Sequence, residues 1–271
     1  MELPGEVCNR VRGDLLVLPA VSLGNVGQMA IDLIMNTANH ETWAKLESTE
    51  KVETAAGDAV EKIGVLRSAN VLPMAGTDPL DVAKDAKSGK LCSNLEVYRL
   101  ESAKITFLQI RAPIVEGAAL NFAHEIVRFS KDCGFSGLLV LAGSDSSANF
   151  EQEVMLHQFR FVATGAVAEE DTEVLQRIGM PQLQMQPGMV RLPVYKAGLL
   201  SPLFQACQDA EVPMRGLIIF CKEGFNVPEA CMMGGALQAV TNLIQIPPKA
   251  WRPPACWQYL DGGSPDISLF Q

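Results

Sequence analysis

Apolar and polar positions fall in blocks along this chain, and the blocks change period from one to the next. Leu15 to Val21 (LLVLPAV) is a short continuous apolar run beside Pro and Gly, which predicts a strand buried on both faces. From Gly24 to Met35 the apolar positions Val26, Met29, Ala30, Leu33 and Ile34 recur at helical spacing and predict a helix with one inward stripe. His40 to Lys62 is charged, Ala-rich and weakly periodic, and reads as an exposed helix or a surface insertion. Ile63 to Leu66 predicts a short strand, followed by a loop marked by Pro73, Gly76 and Pro79. Leu95 to Leu100 and Ile105 to Arg111 are strand-like runs around the polar ESAK, the spacing of a β-hairpin that Pro113 stops.

The second half repeats the alternation. Leu120, Ala123, Ile126, Val127 and Phe129 share a helical face, with Gly134 as the C-terminal stop. SGLLVLAGS then supplies another continuous apolar run, so a helix feeds a buried strand, as in a parallel pairing with a helical crossover. Further helices are expected over Ala168–Ile178, Leu199–Asp209 and Val227–Gln245, and strands at the end of HQFRFVATG and over Arg215–Cys221. The expected fold is a three-layer single α/β domain over 1–246, with a central, largely parallel or mixed sheet flanked by helices. A tail rich in Pro, Gly and aromatics follows over 247–271.

Composition narrows the function classes. With 48% hydrophobic and 20% charged residues the chain reads as a soluble globular protein. A formal net charge of −9 argues against nucleic acid or an anionic membrane as partner, because counterion release needs a basic face. No apolar run reaches the ~18 residues that span a bilayer, and Glu2 and Glu6 stand where a secretory leader would be basic, so an intracellular protein is expected. Cys8, Cys92, Cys133, Cys207, Cys221, Cys231 and Cys256 are widely spaced without a CxxC pair; buried free thiols are expected rather than a disulfide frame or a zinc site.

Chemistry-bearing motifs are sparse. The strand-to-helix turn Gly24-Asn25-Val26-Gly27 lacks the third Gly of a dinucleotide fingerprint and the Lys of a phosphate loop. Backbone N–H groups at a helix start could hold an anion, but a tight structural turn explains the residues better. Ser144 in AGSDS follows a strand, where α/β enzymes keep their sites, yet no GxSxG elbow is present. His40 abuts a charged stretch and His124 lies in a helical run, so neither completes a triad with Ser144 by spacing, and His157 remains as an unplaced third. No metal motif is present, Glu223 and Glu229 read as solvated, and no cofactor is expected.

Three stretches point elsewhere: LPAVSLGNVGQMAIDLI; NVLPMAGTDPL with LEVYRLESAKITFLQIRAP; and FCKEGFNVPEA with WRPPACWQYLDGGSP. In this order they resemble the successive signatures of the PAC2 family of proteasome assembly chaperones, across almost the whole chain, with His40–Lys62 appearing inserted. The resemblance implies a non-enzymatic role in the cytoplasm, extending to the nucleus. The chain would pair with proteasome assembly chaperone 1 and seat proteasome α subunits into a ring. The family's C-terminal hydrophobic–Tyr–any motif falls on Leu269, Phe270 and Gln271, with Phe in place of Tyr, and makes them the expected anchor; carboxylate capture of a terminal peptide is the physical mode. On this reading Gly24, Asn25, Val26 and Gly27 form a structural turn, and Asn70, Val71, Leu72, Pro73, Gly76 and Pro79 are the candidate partner surface. The alternative is a small-molecule α/β enzyme with its site at the strand ends near Gly24 and Ser144.

Overall fold

A computed structural model of the protein describes residues 1–47, 59–80, 90–146, 158–185, 191–241, 251–254 and 257. In chain order its elements are α1 (Gly5–Val11), β1 (Leu15–Pro19), a 3₁₀ turn (Leu23–Asn25), α2 (Val26–Glu47), β2 (Glu61–Val65), β3 (Ala75–Thr77), β4 (Leu91–Ser93), β5 (Leu95–Leu100), β6 (Ile105–Ile110), α3 (Ala119–Cys133), β7 (Gly137–Asp145), β8 (Phe159–Ala163), α4 (Glu169–Arg177), α5 (Leu200–Asp209), β9 (Met214–Cys221) and α6 (Val227–Thr241).

Seven strands form one sheet in the order β2-β5-β6-β1-β7-β9-β8. The centre is parallel: β1 pairs with β6 and β7, and β7 with β9. The edges are antiparallel, β2 on β5, β5 on β6, and β8 on β9, so the sheet is mixed. The continuous apolar runs explain the centre, because a strand covered on both faces needs apolar side chains at every position. Along β7, every residue from Gly137 to Ser144 is buried.

The pleat divides these side chains between two cores. Leu16, Leu18, Val140, Ala142 and Ile218 face Phe122, Ile126 and Phe129 of α3 and Leu203 of α5. Val17, Leu139, Leu141, Leu217 and Ile219 face Ala30, Ile31 and Ile34 of α2 and Met233 and Leu237 of α6. The result is helices, sheet, helices.

Local signals hold where they are strong. The β5–β6 hairpin pairs Leu95 with Ile110 through Leu100 with Ile105. Gly134 caps α3 at φ 70°, with its N–H on Lys131 O. Three features differ from the sequence reading. The charged stretch from His40 to Glu47, read as an exposed helix or an insertion, is helical but continuous with α2; residues 48–58 lie outside the described residues, and Glu61 and Lys62 belong to β2. α1, β3 and β4 are additional elements, too short to show a period. Finally, Cys8 and Cys133 are joined in a disulfide, with Cα atoms 4.5 Å apart across 125 residues of sequence. Expectation of free thiols fails for that pair because α1 lies along α3, which spacing in the chain cannot reveal. Cys92, Cys207 and Cys221 are buried and free, and Cys231 is free and half-buried.

Candidate functional site at the strand ends

The parallel strands β1, β7 and β9 end at one edge, the place where an open α/β sheet offers a ligand crevice. Here the chain packs closely around the β1–α2 turn. Gly24 adopts φ 68° and Asn25 φ 52°, which turns the chain sharply from β1 into α2. The Asn226 side chain from the β9–α6 loop packs onto this turn: a Cβ on Gly24 would lie 2.4 Å from Asn226 Nδ2. Asn226 is fixed in turn, donating from Nδ2 to Gly224 O (2.9 Å) and Lys222 O (3.1 Å). At Gly27 the first turn of α2 presses on β7 so closely that a Cβ would sit 2.5 Å from Leu141 O. Val26 is fully buried. The turn Gly24–Gly27 therefore packs against Pro19 of β1, Leu141 of β7 and Asn226 ahead of α6.

Ser144 and Asp145 reach the same rim. The Ser144 hydroxyl is buried, donates to Tyr195 O (3.0 Å) and accepts from the Tyr195 N–H (3.2 Å), which ties β7 to the 191–199 segment. Ser22 Oγ accepts the Gly143 N–H at 2.8 Å. Lys196 Nζ lies 2.5 Å from Glu223 Oε1 and 3.5 Å from Asp145 Oδ2, and the two carboxylates, Glu223 foremost, hold its pKa above the usual lysine value. Glu223 and Glu229 part company here. Glu223 is exposed and ion-paired, whereas Glu229 is half-buried, with Oε2 out of solvent and without a hydrogen-bond partner among the described residues.

The 70–79 stretch is only partly surface. Val71 is buried and bridges Ile114, and Gly76 pairs with Cys92 within β3–β4. Asn70 O accepts from the Val115 N–H and the Leu72 N–H donates to Pro113 O, with Leu72 45% exposed, while Pro79 is half-buried. Leu72 and Pro73 are exposed apolar residues of this stretch. Leu269, Phe270 and Gln271 lie outside the described residues.

Sequence reasoning missed a buried charge network under α2. Arg111 clasps Asp32 with both terminal nitrogens (2.8 and 2.9 Å) and reaches Glu96 Oε2 with Nε (3.2 Å). Glu96, fully buried, also accepts from Tyr98 (2.8 Å), the Ser93 N–H (2.9 Å) and Lys62. Burial opposes ionisation of Glu96, but Lys62, the Ser93 N–H and Tyr98 outweigh it and leave the carboxyl below its usual value. Burial, reinforced by the Glu96 carboxylate, pushes the Tyr98 hydroxyl up. Gln109 donates to Asp32 (2.8 Å) and Gln28 O (2.9 Å). The only sequence signal was polar residues inside strand-like runs, Glu96 and Gln109 among them.

The comparisons with known proteins decide the family. Its sequence profile, described as the PAC2 family, matches residues 16–247. This chain belongs to the PAC2 family. It is similar to "Proteasome assembly chaperone 2" of Danio rerio, 27% identical over 98% of both chains, and to that of Xenopus tropicalis, 26% identical over 94% of both. Among solved structures it is similar to Pyrococcus furiosus PbaA, described as an archaeal homolog of proteasome-assembly chaperone. There the TM-score is 0.54 at 16% identity, covering 87% of this chain and 84% of the other, a likeness of fold. This PAC2-family chain thus shares its α/β fold with that structure.

Proposed function

We propose that this PAC2-family chain is a non-enzymatic chaperone for assembly of the proteasome core particle. It pairs with proteasome assembly chaperone 1, and together they hold proteasome α subunits while the α-ring forms. The observation that carries the reading is the end-to-end similarity to proteins named "Proteasome assembly chaperone 2", at 25–27% identity over 98% of the chain for the Danio rerio, Bos taurus and Homo sapiens relatives. The close packing at the strand ends is in keeping with it: Asn226 lies against Gly24, and Ser144 ties β7 to Tyr195. Among the described residues no group of His, Cys, Asp and Glu could hold a metal, and no helix is long and apolar enough to cross a membrane.

In this reading Leu269, Phe270 and Gln271 anchor the chaperone on the α subunits, with the Phe270 ring in an apolar pocket. A buried aromatic anchor is worth about 2 kcal/mol or more at an interface, roughly a thirtyfold change in affinity. The complex works in the cytoplasm and in the nucleus. Removing Leu269–Gln271 is expected to weaken α-subunit capture by that order while leaving partner pairing and thermal stability as they are. Surface plasmon resonance on immobilised α subunits checks this, and an unchanged affinity removes the tail from the mechanism.

A further inference from the structure

Among the described residues the Cys8–Cys133 disulfide sits amid free thiols, for Cys92, Cys207, Cys221 and Cys231 are all unpaired. A secreted scaffold stapled by disulfides pairs its cysteines in sets. A single bond among thiols is instead the pattern of one that forms and opens with its surroundings, as disulfides do where thiols are kept reduced.

What the bond holds is an element with little else to hold it. α1 has seven residues, no side-chain cap at its start and one fully buried side chain, Val11. A helix that short does not persist by itself in water. Leu3, just ahead of α1, lies against Gly64 of β2, where a Cβ would sit 2.5 Å from Leu3 Cδ2. Arg10 pairs with Glu61 at 2.7 Å, but the two side chains are 45% and 57% exposed, and such a pair adds little. Beyond the helix the Gly13 N–H donates to Gly134 O at 2.8 Å, so the chain is fixed again where it turns toward β1. The segment that depends on the bond is therefore residues 1–10.

The two sulfurs are unequal. Cys133 is 1% exposed on the buried face of α3, whereas Cys8 is half-buried, so an incoming thiolate reaches Cys8 Sγ first.

We propose that Cys8 and Cys133 form a redox clasp, in which exchange with a low-molecular-weight thiol and its disulfide sets whether α1 is held on α3. In the opening direction a thiolate attacks Cys8 Sγ, the Cys8–Cys133 bond breaks, and Cys133 leaves as a thiolate and takes a proton. A second thiolate then attacks the small-molecule sulfur of the mixed disulfide and releases Cys8, which is protonated in turn. Two thiols are oxidised to one disulfide and the protein bond is reduced to two thiols; closing is the reverse. The setting of the clasp, a compartment rich in thiols, rests on the chaperone reading and its cytoplasmic site of action, while its chemistry does not.

The full chain, equilibrated in buffers of graded reduced-to-oxidised glutathione ratio, acid-quenched and alkylated, tests this by peptide mass mapping of Cys8 and Cys133. The pair is expected to pass from bonded to alkylated within the series. In parallel, trypsin cleavage after Arg10, read by mass spectrometry of the fully reduced digest, should be about tenfold faster in the reduced chain, and equally fast in both states for Cys8→Ser. A bond that survives excess reduced glutathione is a permanent staple, and thiols that alkylate in excess oxidised glutathione show no bond; either result overturns the clasp. So does a cleavage rate in the wild-type chain that is the same in both states, or a Cys8→Ser chain that stays slow. Neither readout contains a partner protein, so failure of the chaperone reading, seen as lost α-subunit capture, is distinguishable from failure of the clasp.

Discussion

Arg111 illustrates how much of this fold rests on single side chains that local pattern cannot reveal. Its partner Asp32 lies 79 residues away, so nothing in the spacing links β6 to α2. Replacing Arg111 by Met leaves the Asp32 and Glu96 carboxylates without their shared guanidinium, a loss of about 3–5 kcal/mol for a broken buried pair, measurable by chemical denaturation. Glu96 ties the same network to pH. Its folded pKa lies below its unfolded value, so its contribution is complete above the unfolded pKa of about 4.3 and is lost as pH falls through the folded one. Glu96→Gln is therefore expected to flatten the acid limb of the stability profile; an acid limb identical to wild type contradicts that role. Gly27 is the opposite case, legible in advance because a strand-to-helix turn needs close approach. With Leu141 O 2.5 Å from the position of a Cβ, Gly27→Val should lower stability by about 1–3 kcal/mol in thermal melting. Burial also pushes the Cys207 thiol up to about 12 and the Cys221 thiol up to about 11, so both should resist iodoacetamide at neutral pH until the chain is unfolded, as peptide mapping would show.

At the scale of elements, legibility follows length and period. α3 was readable because Ala123, Ile126, Val127 and Phe129 share one buried face and Gly134 ends it, although Leu120, counted on that face from the sequence, is exposed and Phe122 is buried there. β7 and β9 were readable as continuous apolar runs. α1, β3 and β4 were not, since three to seven residues cannot display a repeat, and Gly5–Val11 gains its place from packing on α3. α2 outran its apolar stripe into charged sequence because intrahelical hydrogen bonds propagate through helix-forming Ala, Lys and Glu without an apolar face. The 251–254 strap was unreadable for another reason: it is held by Asn36 Nδ2 on Arg252 O (2.7 Å) and by the Arg252 N–H on Thr37 Oγ1 (3.0 Å), polar contacts more than 200 residues apart in sequence. Asn36→Ala should cost about 1 kcal/mol and speed proteolysis after Trp251, with the rest of the digestion pattern unchanged. An unchanged cleavage rate would show that Trp251 alone holds the strap.

For the whole molecule, the sequence order of strands and helices was enough for a three-layer α/β fold, but not for the placement of antiparallel strands at both edges. Of the candidate site, the tight strand-to-helix turn at Gly24–Gly27 was legible from its glycines, whereas the packing of Asn226 and β7 against it was not, because those contacts come from distant sequence. The apolar outer face of α6 was not legible, because Met232 and Gly235 look like core residues until the sheet shows which side of the helix is inside. The function proposed for this chain is to join a partner chaperone to proteasome α subunits. Co-expression of the tagged chain with proteasome assembly chaperone 1 and proteasome α subunits, followed by native mass spectrometry of the purified material, tests it most directly. One heterodimer of the two chaperones carrying α subunits is expected; recovery of the tagged chain by itself, with both proteins present in the lysate, would overturn the proposed function.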